Sequence, residues 1–165
     1  MNFITKKIKN QRTLLQFLDK SKDVVSKLEM YEKNILIEGK EAEHQEAIAA
    51  RIYFQELFGK KFKRFDDDGI NSALNYGYAL LRSLISSKIV AKGFHPSLGF
   101  HHKSQFNNYN FSDDIIEIFR PMVDYVVYFN QKEETELSKE LRQKLLLALT
   151  QKVYWKNKKC FDNIG

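Results

Sequence analysis

The segment GFHPSLGFHHKSQFNNYNFSDDIIEIFRP, residues 93–121, holds three of the four histidines and both prolines of the 165-residue chain. Pro96 and Gly99 predict a turn, because proline presets one backbone angle and glycine tolerates conformations that other residues avoid. His101 and His102 follow this turn directly, and an asparagine-rich loop comes next. The segment therefore presents two histidines on a loop that leads into the following helix.

This helix is predicted to begin at the end of the loop, with Ser112 as its N-cap. Asp113 and Asp114 then fall in the first turn, where the helix dipole favours negative charge. Asp114 and Glu117 are three residues apart, so they project from one side of the helix. A histidine brought near two such carboxylates would make a mixed nitrogen and oxygen metal site, which suits Mg²⁺ or Mn²⁺ and Zn²⁺ less clearly.

The whole chain predicts an all-α fold, a helical bundle. Apolar residues recur at spacings of three and four, few segments alternate with period two, and helix breakers are scarce, with two prolines and seven glycines. The expected helices span residues 3–31, as one or two helices with a break near 19–21, and residues 41–58, 70–92, 113–129 and 137–150.

Five local features refine these helices. Gly59 is a plausible C-cap, Gly77 is expected to permit close approach of another helix, and Pro121 should kink or restart the helix that contains it. The run Asp66–Asp68 lacks the ligand pattern of a calcium loop and is better explained as a solvated turn. One face of the helix at 41–58 is expected to consist of Ala47, Ala50, Phe54 and Leu57.

The composition favours an anionic partner only moderately. The formal charge is +6 and the sequence pI is about 9.2. Basic residues cluster at Lys6–Arg12, Lys60–Arg64 and Lys156–Lys159. Such clusters are typical of nucleic-acid-binding proteins, but they also occur as solvated helix faces and ends.

The length indicates one domain, taken as residues 1–150, followed by a basic tail at 151–165. Cys160 is the only cysteine, which excludes a disulfide within the chain and a cysteine-based zinc site. The chain has no apolar signal region and no apolar run of membrane-spanning length. We therefore expect a soluble, cytoplasmic protein that does not engage a membrane.

The residues alone support only a broad functional class. A lone His102 is more often a hydrogen-bonded structural residue than a ligand, and a lone Glu117 is more often part of a surface ion pair. Their combination with Asp114 shifts the balance towards a metal site, because adjacent carboxylates need a cation or a proton. The sequence lacks a nucleophile constellation, a glycine-rich phosphate loop and the HExxH spacing. These patterns leave a basic, helical protein compatible with metal-assisted hydrolysis.

Three motifs resemble a known family. Glu46–Phe54, Leu74–Leu81 and Gly99–Pro121 occur in the order and at separations similar to those of the CRISPR-associated integrase-endonuclease of spacer acquisition, the Cas-one family. The resemblance covers residues 5–150, and the double histidine with its asparagine-rich loop is most like type II systems. It implies the helical catalytic domain of that family.

The resemblance also implies roles for individual residues. Glu46, His102 and Glu117 correspond to the catalytic residues that hold Mg²⁺ or Mn²⁺. Asp114 would orient a ligand or a metal-bound water, and His44 is a second choice as a ligand. The implied reaction joins a DNA 3′-hydroxyl to a phosphodiester of the CRISPR repeat array, and nuclease activity uses the same centre.

Partners follow from the same resemblance. Double-stranded DNA would be the substrate, with Arg51, Lys103, Asn107 and Arg120 as candidate DNA contacts. Full-length members form a homodimer and work with the Cas-two partner of the adaptation complex. The N-terminal β-domain of the family has no counterpart here, so we expect a helical-domain fragment. Two alternatives stay open: a catalytically silent DNA-binding or scaffold fragment, and a helical interaction domain whose acids form internal ion pairs.

Overall fold

The computed structural model describes residues 3–38, 42–102, 104–131, 136–150, 154–155 and 158–159, with backbone alone for 36–38, 42 and the last two pairs. Six α-helices and two short β-strands lie within these residues. The helices are α1 (Phe3–Phe17), α2 (Lys22–Glu38), α3 (Ala42–Phe58), α4 (Gly69–Ala91), α5 (Asn110–Asn130) and α6 (Lys139–Thr150). The strands β1 (Tyr154–Trp155) and β2 (Lys158–Lys159) pair antiparallel.

The all-α prediction is confirmed, and so is the break near residues 19–21. After α1 the chain turns through Asp19, which adopts a left-handed φ of 51°. The backbone N–H of Lys20 returns to the carbonyl of Leu15, a bond that closes the helix end. The segment 3–31 therefore contains two helices, and the second continues to Glu38. No helix in the described part of the chain is both long and apolar enough to cross a membrane.

The chain divides into two compact units. The first comprises Met1–Asp66 together with Glu117–Pro121, and the second comprises Asp67–Ile116 together with Met122–Gly165. The division between a domain at 1–150 and a tail at 151–165 stays a prediction, and much of that tail lies outside the described residues.

In the first unit, α1, α2 and α3 pack against one another. The expected face of α3 is partly wrong, since Ala47 is exposed whereas Ala49 and Tyr53 are fully buried. Gly59 follows α3 with a φ of 107°, so glycine is suited to this end, as predicted. The core of the unit contains Ile4, Ile8, Leu15, Leu28, Ile35, Ala49, Tyr53 and Leu57.

In the second unit, α4 packs against α6. Its N-cap is Asp68, whose carboxylate accepts from the backbone N–H of Asn71 at 2.6 Å. Gly77 lies against Val123 and Leu145, and a Cβ on Gly77 would overlap the Val123 side chain. The prediction that Gly77 permits close helix approach is confirmed. The core of this unit contains Leu74, Leu81, Val123, Val127, Leu141, Leu145 and Leu149.

The start of α5 corrects one prediction. Ser112 is not the N-cap, because the helix begins two residues earlier and its capping position is Tyr109. The backbone N–H groups of Phe111 and Ser112 donate to the carbonyl of Pro96, at 2.7 and 3.4 Å, so the preceding turn satisfies the helix end. The Ser112 side chain is buried and hydrogen-bonds Ser86 instead.

Pro121 lies inside α5 without ending it, so the helix does not restart there. Proline has no N–H, which removes the hydrogen bond that residue 121 would donate to the carbonyl of Glu117. The helix nevertheless continues past Pro121 to Asn130.

We expect Gly77→Ala to lower the stability of the protein. Alanine in a helix interior is normally favoured over glycine by about 1 kcal/mol. Here the added methyl meets the stiff, β-branched Val123, and overpacking of this kind costs about 1–3 kcal/mol. Chemical denaturation should therefore show a net loss.

Val123→Ala alone and in the Gly77→Ala background completes the test. The methyl added at residue 77 should be better tolerated once Val123 is truncated to alanine, which gives a favourable coupling energy between the two sites. A Gly77→Ala protein that is more stable than the parent would show that no close approach exists there.

Candidate functional site

In the first unit, the Lys7 ammonium joins two of the predicted site residues. Its Nζ lies 2.7 Å from Glu46 Oε1 and 2.7 Å from Glu117 Oε2. The side chains of Lys7, Glu46 and Glu117 are 12%, 19% and 13% exposed, so the ion pairs are largely shielded from water. Because both carboxylate oxygens contact the same nitrogen atom, they lie close to each other.

Two further contacts fix this arrangement. Arg120 Nη2 lies 2.8 Å from the other Glu117 oxygen, Oε1, one helical turn along α5. Asn10, one turn after Lys7 on α1, donates its side-chain N–H to the backbone carbonyl of Ile118 at 2.8 Å. The face of α1 that carries Lys7 and Asn10 is thereby held against the part of α5 that carries Glu117.

The two contacts of Lys7 differ in geometry. The contact with Glu46 is a hydrogen bond. The contact with Glu117 has the same length, but among the described residues no donor makes a hydrogen bond of acceptable angle to the buried Glu117 Oε2. This oxygen is therefore neutralised by charge without being fully satisfied as an acceptor.

In the second unit, the Asp114 carboxylate organises the histidine loop. Its Oδ2 accepts from the backbone N–H groups of Phe100 and His101, at 2.6 and 2.9 Å. Its Oδ1 accepts from the backbone N–H of His102 at 3.0 Å and lies 2.7 Å from the ring Nδ1 of the same residue. Asp114 is itself buried, so one carboxylate replaces water for three consecutive amides.

These contacts lower the pKa of Asp114. Burial alone would raise the pKa, but hydrogen bonds from the backbone of His101 and His102, from the His102 ring and from the backbone of Phe100 outweigh it. The folded-state pKa therefore lies below the ordinary value of 3.8. Asp114 contributes stability above that ordinary value, and this contribution is lost as the pH falls through the folded-state pKa.

The same carboxylate determines the tautomer of His102. An ionised carboxylate only accepts hydrogen bonds, so Nδ1 must carry the proton that it donates to Asp114. In the neutral imidazole this leaves the lone pair on Nε2, the atom that would bind a metal ion. A carboxylate behind the ring in this way is the usual partner of a metal-binding histidine.

The turn before the histidines depends on Gly99. A Cβ on Gly99 would overlap the carbonyl oxygen of His102 and would lie 2.7 Å from the Cβ of Asn110. The loop therefore lies against the start of α5 too closely for any side chain at residue 99. This close approach brings the amides of residues 100–102 within reach of Asp114.

Asp113, the other acid at the start of α5, is bound to residues of the protein itself. Asp113 pairs with Arg82 Nε at 2.8 Å and accepts from the side-chain amide of Asn107 at 2.8 Å. Asn107 also accepts from the backbone N–H of Tyr109. The amide predicted to face DNA therefore has a structural role in its loop.

The other residues that were predicted to contact DNA or a metal ion differ in their exposure and partners. Arg51 and His44 are exposed on α3, and Arg120 is paired with Glu117. Lys103 lies outside the described residues. The sequence analysis did not single out Lys7, although it lies in the basic cluster at Lys6–Arg12, because nothing in that cluster indicates which lysine faces an acid.

The donor set suits a hard divalent ion. Glu46 and Glu117 already converge on one cationic atom, and His102 is oriented with a ligand atom opposite its carboxylate partner. In the described part of the chain, no group of three His, Cys, Asp or Glu side chains is close enough to hold a metal. The meeting of His102 with the two glutamates stays a prediction.

Sequence comparison now identifies the family. A family model described as "CRISPR associated protein Cas1" matches residues 1–152. The chain belongs to the Cas1 family. The family resemblance seen in the three sequence motifs is thereby confirmed, while the likeness to type II systems within it stays a prediction.

Curated Cas1 relatives extend this result. The chain is 41% identical over 109 residues to the CRISPR-associated endonuclease Cas1 of Neisseria meningitidis, a match that covers 64% of this chain and 36% of that protein. It is 30% identical over 184 aligned positions to a Cas1 endonuclease of Francisella tularensis subsp. novicida, which covers 96% of this chain and 58% of the relative. The chain thus spans only part of each relative.

Solved structures support the Cas1 fold. A Cas1 protein from Thermotoga maritima, TM1797, superposes with a TM-score of 0.75 at 17% identity, covering 98% of this chain and 59% of that one. A casposase bound to integration product superposes with a TM-score of 0.66 at 22% identity, covering 95% and 54%. At such low identity these likenesses establish the fold alone.

We expect Asp114→Asn to change the tautomer of His102. The neutral amide no longer requires a proton on Nδ1, so the ring should shift towards the Nε2–H form that free imidazole prefers. Long-range ¹H–¹⁵N NMR on labelled histidine reports the tautomer directly. His95, whose Nδ1 lies 2.7 Å from Ser97 Oγ, serves as the internal control and should not change. An unchanged His102 spectrum would contradict this role of Asp114.

Proposed function

We propose that this chain is the catalytic helical part of a Cas1 integrase-endonuclease that acts on DNA during CRISPR adaptation. The observation that carries the proposal is the shielded Glu46–Glu117 pair in a member of this family. Two acids from distant parts of the sequence converge on one cation, which is the arrangement that a divalent-ion site needs. The relatives named CRISPR-associated endonuclease Cas1 support the same reaction class.

The proposed reaction is phosphoryl transfer. The oxygen of a DNA 3′-hydroxyl attacks a phosphodiester of the repeat array and loses its proton. A new P–O bond forms as the bond to the existing 3′-oxygen breaks, and that oxygen leaves with a proton as a new 3′-hydroxyl. The number of phosphodiester bonds is unchanged, so the step needs no energy source. With water as the nucleophile, the same displacement is endonucleolytic cleavage.

The proposed ligands are Glu46, Glu117 and His102. A bound Mg²⁺ or Mn²⁺ would polarise the phosphodiester and stabilise the charge that develops on its oxygens. Glu46 and Glu117 supply oxygen ligands, and His102 supplies Nε2. Asp114 holds the His102 ring in the required tautomer and anchors its backbone, so it acts on the site through the histidine.

Charge supports DNA as the substrate. The net charge of +6 favours a polyanion, and the exposed Arg51 lies on α3, the helix that also carries Glu46. The casposase of the similar structure is bound to an integration product. By analogy we propose double-stranded DNA here, with Arg51 as the first phosphate contact to test. The homodimer and the Cas-two partner stay predictions.

Substitutions should separate the roles of the site residues. In a full-length protein carrying this segment, His102→Ala and Glu117→Ala should each abolish strand joining, because both remove a proposed ligand. Asp114→Ala should reduce it by roughly 10–100-fold, as is typical of groups that orient ligands. A strand-joining assay with Mn²⁺ measures all three.

Glu32→Ala is the matched control for this series. Glu32 also forms a shielded ion pair in the first unit, with Arg12 at 3.2 Å, but it is not among the proposed ligands. It should therefore join DNA normally once folded. An inactive Asp114→Ala beside an active Glu117→Ala would require the two roles to be exchanged. If the parent and all variants bound DNA equally without metal and none of them cleaved it, the catalytically silent alternative would be favoured.

The chain should bind duplex DNA weakly, with little sequence preference and with strong dependence on salt. Each phosphate contact releases counterions and adds about 0.9 to the slope of log affinity against log salt. Arg51→Ala should reduce this slope by about 1 if Arg51 contacts a phosphate. Lys33→Ala is the control, because Lys33 is exposed and paired with Glu29 on α2. Salt-independent binding would contradict the electrostatic basis of the interaction.

A further inference from the structure

The Lys7 ammonium occupies the position between the carboxylates where a divalent ion would be expected. Both Glu46 and Glu117 direct an oxygen to Nζ at 2.7 Å, and all three side chains are at least four-fifths buried. Two carboxylates this close in a poorly hydrated setting repel each other strongly unless a cation lies between them. Lys7 provides that cation from within the chain.

The backbone around Lys7 is fixed, whereas its side chain is adaptable. The hydrogen bond from Asn10 to the Ile118 carbonyl holds α1 in register with Glu117. A lysine ammonium is a point charge on a flexible four-carbon chain, so it can withdraw without movement of the helix. The Arg12–Glu32 pair nearby differs, since Nε and Nη2 of Arg12 both reach one carboxylate oxygen, at 3.3 and 3.2 Å.

The contacts of Glu117 indicate which charge would be replaced. Arg120 neutralises Oε1, whereas Oε2 has only the off-angle contact with Lys7 in the described part of the chain. An ion that accepts an oxygen lone pair directly would satisfy Oε2 better than this ammonium does. Arg120 could stay in place while Lys7 leaves.

We propose that Lys7 is a built-in competitor of the divalent ion, which holds the Glu46–Glu117 pair in place when no metal is bound and must leave when metal binds. The proposal rests on the metal site of the proposed function and adds to it a residue that sets metal affinity. Lys7 thereby weakens metal binding, because the ion has to displace an ammonium that is already paired with two acids. It also stabilises the metal-free protein.

Removal of the Lys7 charge tests both consequences. Lys7→Met keeps the length and apolar stem of the side chain without its ammonium, and Lys7→Gln is a polar alternative in case the first variant folds poorly. Arg12→Met is the matched control, since it removes another shielded cation from the same helix, α1. Mn²⁺ binding is measured by calorimetry and by electron paramagnetic resonance of free Mn²⁺, and stability by thermal unfolding with and without Mn²⁺.

Removing the Lys7 charge is expected to lower the stability of the metal-free protein and to raise its affinity for Mn²⁺. Lys7→Met should unfold at a lower temperature without metal, because the two acids lose their shared partner. It should bind Mn²⁺ roughly tenfold more tightly or better, since the hydrogen bond from Lys7 to Glu46 no longer has to be broken. Its thermal gain on adding Mn²⁺ should exceed that of the parent protein. Arg12→Met should lose stability without any change in Mn²⁺ affinity.

Two failures can be told apart. If the parent protein binds Mn²⁺ and Lys7→Met and Lys7→Gln bind it equally or more weakly, Lys7 is not a competitor and the inference is overturned, while the metal site remains. If neither parent nor variants bind Mn²⁺, the metal assignment fails and the inference fails with it. Glu46→Gln and Glu117→Gln locate the site, because each should abolish the Mn²⁺-dependent thermal gain. Mn²⁺ binding by Lys7→Met alone would support the inference.

Discussion

The architecture of the histidine loop depends on one buried carboxylate. Asp114 accepts three consecutive backbone amides and contacts the His102 ring, so one side chain determines the path of the loop and the tautomer of its second histidine. The interaction persists because the hydrogen bonds more than compensate for the burial of the charge, which is why the pKa of Asp114 is lowered. Gly99 makes this geometry accessible, since only a residue without a side chain lets the loop lie so close to α5.

Charge balance explains the acids of the first unit. Glu46 and Glu117 lie together because Lys7 lies between them, and Arg120 neutralises the remaining oxygen of Glu117. Replacing a whole shielded pair by apolar residues often costs little stability, since the cost of dehydrating the charges offsets their attraction, whereas removing one partner alone is destabilising. A function is the better explanation for keeping two acids in one shielded place, and the divalent-ion site that we propose would supply such a function. The ion pairs expected of a plain interaction domain are also present, so it is the family match that favours the enzyme.

The sequence predicted the helices well where hydrophobic periodicity and backbone chemistry act locally. The break at Asp19, the end of α3 at Gly59 and the close packing at Gly77 all follow from residues whose backbone or side-chain size constrains the chain nearby. The predicted start of α5 was wrong because the carbonyl of Pro96, in a preceding turn, satisfies the helix end that Ser112 was expected to cap. The buried face of α3 was partly wrong because periodicity alone does not say which of several alanines meets the core.

The sequence by itself determined the all-α fold and the family motifs, because these depend on residue type and short-range spacing. The candidate ligands Glu46, His102 and Glu117 came from the family resemblance that those motifs carry. Only the tertiary structure decided which lysine pairs with Glu46 and Glu117, which nitrogen of His102 carries the proton, and that Asn107 supports its own loop. Each of these facts depends on distances between residues that are far apart in the chain or on hydrogen-bond direction. Neither is encoded in local pattern, since a basic cluster or a pair of histidines looks the same whichever acid it meets after folding.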